Sequence, residues 1–120
     1  MGRLAYNKIM KKKHFYSHLV ETDSLFIELD KLELTEDDKA NLVSLIDSNI
    51  HHAIVDAVLS ELSAEDKKIF LTHVLSEEHD KVWELLDKKV DNIENKITQA
   101  AESLKKELHK DIEEVKEEEE

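Results

Sequence analysis

The sequence predicts an all-α protein, a small helical bundle followed by a long C-terminal helix that extends beyond it. Among 120 residues there is one glycine, at position 2, and no proline. Sheets joined by tight turns rely on these residues for backbone angles that others resist. Charged residues make up 38% of the chain and apolar residues recur at helical spacing, as in amphipathic helices.

Four helix starts are indicated by polar residues in place of glycine or proline. Thr22 or Asp23 precedes a predicted helix of about two turns. Residues 35–38, Thr-Glu-Asp-Asp, and residues 63–66, Ser-Ala-Glu-Asp, each pair a capping hydroxyl with acids in the first turn. Ser-Glu-Glu at 76–78 indicates a further turn or kink.

The apolar residues between these caps predict the core. From 36 to 61 they form a face broad enough to be buried on more than one side, which predicts a central helix. From 64 to 75, a second set predicts a short helix that covers the central one, with Trp83 closing the core. The central set is Leu42, Val43, Ile46, Ile50, Ala53, Ile54, Ala57, Val58 and Leu59, and the second set is Phe70, Leu71, Val74 and Leu75.

A single helix is predicted from about residue 78 to 115, because its apolar residues repeat every eleven positions. An eleven-residue period gives 3.67 residues per turn and a nearly straight apolar stripe with slight right-handed supercoil. The stripe comprises Val82, Leu86, Val90, Ile93, Ile97, Ala101, Leu104, Leu108, Ile112 and Val115.

This helix would be roughly 57 Å long, whereas a compact chain of this size has a radius of gyration of roughly 13–14 Å. Its distal half is therefore expected to leave the bundle and to form a coiled coil with a second copy or a partner helix. The alternatives are packing back onto the same chain and a free solvated helix. The predicted partner interface is Ile97, Ala101, Leu104, Leu108, Ile112 and Val115.

Four segments follow. Residues 1–20 are expected to be a disordered basic arm, 21–95 a helical bundle, 96–116 the extension of the long helix, and 117–120 a frayed acidic end. The chain has a net charge of −12, and residues 21–120 hold all 29 acids against 12 lysines. Such a body repels nucleic acid and anionic membranes.

The arm carries five cations and no acid, so it alone is predicted to contact anions, weakly and in a salt-sensitive manner. The alternatives are a solubilising tail and an arm folded back onto the acidic body. The candidate anion-binding residues are Arg3, Lys8, Lys11, Lys12 and Lys13.

The sequence predicts no catalytic, cofactor-binding or metal site. The chain has no cysteine, which excludes thiolate chemistry. Its single glycine is at position 2, so the glycine-containing motifs of phosphate loops and nucleophile elbows are excluded as well. His14, His18 and Glu21 have metal-ligand spacing on a helix, but the adjacent lysines disfavour a cation. His51 and His52 are expected in surface ion pairs, and His79 is placed to stack on Trp83. A cytoplasmic location and no transmembrane segment are expected.

Four segments resemble a small bacterial helical domain of unknown function found in candidate-phylum proteins. They are Leu-Phe-Ile-Glu-Leu at 25–29, Leu-Thr-Glu-Asp-Asp-Lys at 34–39, Leu-Ser-Ala-Glu-Asp-Lys at 62–67 and Val-Trp-Glu-Leu-Leu at 82–86. The resemblance spans about residues 24–97 and implies a helical bundle, with no activity attached to it.

The predicted function is a non-catalytic helical interaction or oligomerisation module that acts as an adaptor or structural protein. The alternative is an accessory protein whose basic N-terminal arm binds nucleic acid or an anionic membrane surface.

Overall fold

The computed structural model describes residues 14–119, with side chains through residue 117. Within this range the chain forms five helices and no strand, which confirms the all-α prediction. The helices are α1 (Asp23–Asp30), α2 (Glu36–Leu59), α3 (Ala64–Leu75), α4 (His79–Lys89) and α5 (Ile93–Glu119).

The predicted caps fix the starts of α2 and α3. Thr35 Oγ1 accepts a hydrogen bond from the Asp38 amide at 3.1 Å, and Ser63 Oγ accepts one from the Asp66 amide at 3.2 Å. Each bond satisfies one of the amides that a helix N-terminus leaves without an intrahelical partner. Helix α4 begins after Glu77, whose φ of 57° reverses the chain at the predicted fourth start.

The core lies mainly between α2 and α5. Five residues of α2 recur on one face with helical spacing and are buried, and they pack in the same cluster as the apolar residues of α5. Helix α1 packs against both α2 and α5, and α3 packs against α4. The buried face of α2 consists of Val43, Ile46, Ile50, Ile54 and Val58.

The prediction of one continuous helix from 78 to 115 is wrong. Helix α4 ends at Lys89, Val90 is extended with φ −130° and ψ 122°, and Asn92 has a φ of 55°. Asparagine tolerates this left-handed region better than most residues, and its carbonyl accepts the first bond of α5, from Lys96. The chain therefore turns between α4 and α5.

Burial of the stripe explains why the turn is favourable. A break across three residues costs intrahelical hydrogen bonds worth about 1 kcal/mol each, plus about 1–2 kcal/mol for the left-handed residue. A straight helix would instead leave its distal apolar side chains in water, and each one buried contributes about 1.5–3 kcal/mol. Folding α5 back along α2 buries Ile97, Ala101 and Ile112 and half-buries Leu104 and Leu108.

The distal stripe is thus covered by its own chain, the alternative in which the helix packs back. The expected extension over 96–116 lies within the bundle, and the helix continues to Glu119. Of the six predicted interface residues, only Val115 is an exposed large apolar residue, with an exposed fraction of 43%. A coiled coil between copies stays a prediction. The exposed apolar stripe on which that prediction was based is covered by the chain itself.

The boundary of the N-terminal arm is also wrong. Residues 1–13 lie outside the described residues, but residues 14–20 form a turn whose Phe15 and Tyr16 are each only 3% exposed. These two rings belong to the main apolar cluster. The burial of these two rings was not predicted from the sequence, because the apolar positions of the turn follow no helical period.

Helix α2 is also long and apolar enough, by length and composition alone, to cross a membrane, contrary to the expectation that no segment reaches this limit. An 18-residue window within it has a mean hydropathy of 1.3. The central helix of a water-exposed bundle satisfies the same criterion. Here its apolar face packs against α5 and its first turn carries three acids.

Replacing Ile97 by alanine distinguishes intramolecular burial of the stripe from a partner interface. Ile97 is fully buried within the monomer. We therefore expect Ile97→Ala to lower the free energy of unfolding by about 2–4 kcal/mol in urea titrations of the monomer. Val115→Ala, at a position 43% exposed, should lose less than about 1 kcal/mol. Equal stability of Ile97→Ala and the wild type would contradict the packing of α5 on α2.

Candidate functional site

Of the two predicted sets of site residues, the structure describes the six of the stripe. The six stripe residues lie along α5, where they pack against the chain's own helices. The five cations of the arm lie outside the described residues, so their role stays a prediction. Two other features could have a functional role. One is a cluster of aromatic and histidine rings at residues 14–18, and the other is an exposed apolar corner at the end of α3.

Aromatic rings hold the N-terminal turn on the bundle. The Phe15 ring lies edge-on to the rings of Tyr16, Phe70 and Trp83, with centroid distances of 5.1, 5.6 and 6.0 Å. Edge-to-face geometry places the positive edge of one ring against the negative face of another. Phe15 therefore connects the N-terminal turn to α3 through Phe70 and to α4 through Trp83.

Trp83 adds a polar anchor to the same turn. Its indole Nε1–H donates a hydrogen bond of 2.8 Å to the Phe15 carbonyl, and its ring packs edge-on against His18 at 5.3 Å. A half-buried tryptophan satisfies its N–H in this way while its ring remains in the apolar cluster. The histidine that packs against Trp83 is thus His18, which is distant from it in sequence. His79 had been predicted to make this contact.

Two histidines connect the turn to α2. His14 Nε2 lies 3.3 Å from Asp47 Oδ2, and the hydroxyl of Tyr16 lies 3.0 Å from His51 Nδ1. The imidazole of His14 also stacks on Tyr16 at 4.9 Å and lies 4.6 Å from His51. Asp47 of α2 thus contacts the N-terminal turn through His14.

Burial raises the pKa of the Tyr16 phenol above its ordinary value of 10, and the nearby Asp47 carboxylate raises it further. Both effects disfavour the phenolate, the first by removing water and the second by repulsion. Tyr16 consequently remains a neutral hydrogen-bonding group at physiological pH. A neutral phenol is a poor nucleophile or general base, since these roles require a lowered pKa.

A second set of polar contacts ties the start of α1 to α5. Lys105 is only 7% exposed, and its ammonium lies 3.4 Å from Glu21 and 3.5 Å from Glu102. The Ser24 amide donates a 2.8 Å hydrogen bond to Glu21, and Ser24 Oγ lies 3.3 Å from His109 Nε2. The Ser24 amide, and secondarily Lys105, lower the pKa of Glu21 against opposing desolvation.

These polar groups do not assemble a metal site. No group of three histidine, aspartate or glutamate side chains with metal-binding geometry occurs within residues 14–119. The spacing of His14, His18 and Glu21 is that of a helix, but the segment is a turn, in which His14 faces Asp47 and His18 faces Trp83.

The corner between α2 and the end of α3 forms an open groove. The groove has a volume of about 350 Å³ and is bordered on the α2 side by Ser44 and Ser48 and on the α3 side by Val74 and Leu75. Leu75 is 83% exposed and Leu71, one turn earlier, is 38% exposed. A leucine this exposed at the rim of a concave surface is more informative than a scattered surface side chain.

The sequence predicted that Leu71 and Leu75 would be buried, which is wrong. Helix α3 carries two adjacent i, i+4 apolar pairs, and the bundle covers only the pair formed by Phe70 and Val74. A short helix on one side of a bundle buries a single stripe. The width of the apolar face on so short a helix was the available signal for an exposed patch.

Phe15→Ala tests whether the N-terminal turn belongs to the core. Because the ring is 3% exposed and contacts three other rings, we expect the free energy of unfolding to fall by about 3 kcal/mol or more. Ile27→Ala is the matched control at a 58% exposed position and should change it by about 0.5 kcal/mol or less. An unchanged urea midpoint for Phe15→Ala would show that the turn is not part of the fold.

The raised pKa of Tyr16 predicts a loss of stability in alkali. The folded protein retains the phenolic proton where the unfolded chain releases it, so unfolding becomes easier as the pH rises above about 10. At pH 8, Tyr16→Phe should have a free energy of unfolding about 1 kcal/mol below that of the wild type, because it lacks the hydrogen bond to His51. This difference between the two proteins should narrow at pH 11. Urea titrations at both pH values measure the difference, in which lysine ionisation cancels. A gap independent of pH would contradict the assignment.

Comparison with protein-family models, with curated proteins and with solved structures gives no match for this chain. The resemblance over residues 24–97 stays a prediction.

Proposed function

We propose that this protein is a non-catalytic helical interaction module, an adaptor or structural component that binds a partner at the corner between α2 and α3. The observation that carries the proposal is the exposure of Leu75, at 83%, beside a groove of about 350 Å³. Leucine loses about 1.5–3 kcal/mol of favourable transfer free energy when it is left in water.

The proposed binding surface differs from the one that the sequence suggested. The stripe from Ile97 to Ile112 is covered by the chain itself, so a partner would have to displace α2 to reach it. The α3 corner is accessible without any such rearrangement. A surface of leucines beside a concave groove resembles the centre of a small interface, where a few apolar anchors provide most of the binding energy.

The chemistry of the cluster supports a non-catalytic role. Tyr16 is held neutral, and Asp47 is engaged by His14. These groups connect the N-terminal turn to α2, and their contacts are accounted for by packing of the bundle.

The alternative function, anion binding by the basic arm, depends on Arg3, Lys8, Lys11, Lys12 and Lys13. These residues lie outside the described range, and the proposal for them rests on the sequence alone.

Capture experiments with matched variants test the interaction role. We expect the full chain to retain at least one protein from a lysate of its native organism, and Leu71→Gln/Leu75→Gln to lose it, because glutamine keeps the helix but removes the apolar anchors. The matched control is Ile27→Gln, an exposed position on α1 away from the groove. Identical captured sets for all three baits would refute this surface.

A further inference from the structure

We infer that the groove at the α2–α3 corner binds a basic amphipathic helix of another protein. The inference rests on the proposed interaction role and adds the chemical class of the partner. Its basis is the charge of the groove, the polarity of the helix end that borders it, and the spacing of the apolar side chains on its rim.

The charge around the groove is negative. Among the described residues, its lining includes the carboxylates Asp47 and Glu77, the histidines His14, His51 and His79, and no lysine or arginine. The lysines of α3, Lys67 and Lys68, lie in the first half of that helix, about 10 Å along the axis from Leu75. The chain as a whole carries a net charge of −12. A cationic partner is therefore attracted both locally and at long range.

The end of α3 adds to this field. Leu75 is the last residue of the helix, so the groove lies at the end that carries the negative partial charge of the aligned peptide dipoles. Lysine or arginine side chains of a partner are stabilised at this position. A second copy that meets this groove with its own groove brings the same carboxylates to the contact and is disfavoured by like-charge repulsion.

The shape of the groove suits a helix. Ser44 and Ser48, one turn apart on α2, line one side of the groove, and Val74 and Leu75 of α3 line the other. Leu71 lies one turn before Leu75 on α3 and is also exposed. The small serines leave room for apolar side chains of the partner. Amphipathic helices bind such grooves through residues spaced i, i+3, i+4 and i+7. The limited size of the surface predicts weak binding, with a Kd of about 10–100 µM.

The probe for this inference is a fluorescein-labelled helical peptide of about 14 residues, composed of lysines and of leucines on one face. Anisotropy is measured with the full chain at pH 8. We expect binding in the range given above. Leu71→Gln/Leu75→Gln should raise the Kd about tenfold or more, and Ile27→Gln should leave it within about twofold.

A charge reversal tests the electrostatic part. Glu77→Lys should raise the Kd about three- to tenfold and reduce its dependence on salt. A peptide with glutamate in place of lysine should not bind. Equal binding of the basic peptide to the wild type and to the double leucine variant would overturn the inference, because such binding would follow net charge alone.

Three further results would each overturn the basic class of partner. A leucine–serine peptide that binds through Leu75 while the lysine peptide does not would leave the interaction role standing. Wild-type dimers that dissociate in Leu71→Gln/Leu75→Gln on sedimentation would assign the groove to a second copy. Peptide binding that appears only in Lys11→Glu/Lys12→Glu/Lys13→Glu would assign the groove to residues 1–13 of the chain itself. Failure of the interaction role is recognised separately, by identical capture sets.

Discussion

The contact between the buried face of α2 and the stripe of α5 is the one on which the other helices depend. It joins the two longest helices, and α1 packs against both of them. Its strength comes from apolar side chains such as Ile54 and Ile97, which are fully buried. Interior side chains of this kind tolerate little change in volume, because the interior is closely packed. The turn at Val90–Asn92 exists because it permits this contact.

Polar and aromatic contacts then fix the remaining parts on this frame. Lys105 and Glu21 connect α5 to the start of α1, and the Trp83 indole holds the backbone of Phe15. In each case a side chain from one helix satisfies a group in a segment distant in sequence. Such contacts contribute about 1 kcal/mol each and chiefly specify which segments pack together. They leave the α3 corner, where Leu75 is exposed, without comparable cover.

The sequence predicted the helices better than their arrangement. Thr35 and Ser63 cap helices as expected because capping depends on a few neighbouring residues. The turn could not be read from the eleven-residue stripe, because the apolar positions on either side of Asn92 keep the same period and, apart from Val115, pack in the core. The one local signal was the Asp91–Asn92 pair, which favours a turn. The burial of Phe15 and the exposure of Leu75 depend on distant packing, which no local pattern contains.

The order of synthesis gives the α2–α5 contact a further consequence. Helix α2 ends at Leu59, whereas the side chains that cover it extend to Ile112 near the other end of the chain. At translation rates of 5–20 residues per second, this delay is about 3–10 seconds. Throughout that interval α2 lacks its main cover, although among the described helices it is the one that satisfies the length and hydropathy of a membrane span. The apolar face of α2 is therefore open to other contacts before α5 has been synthesised.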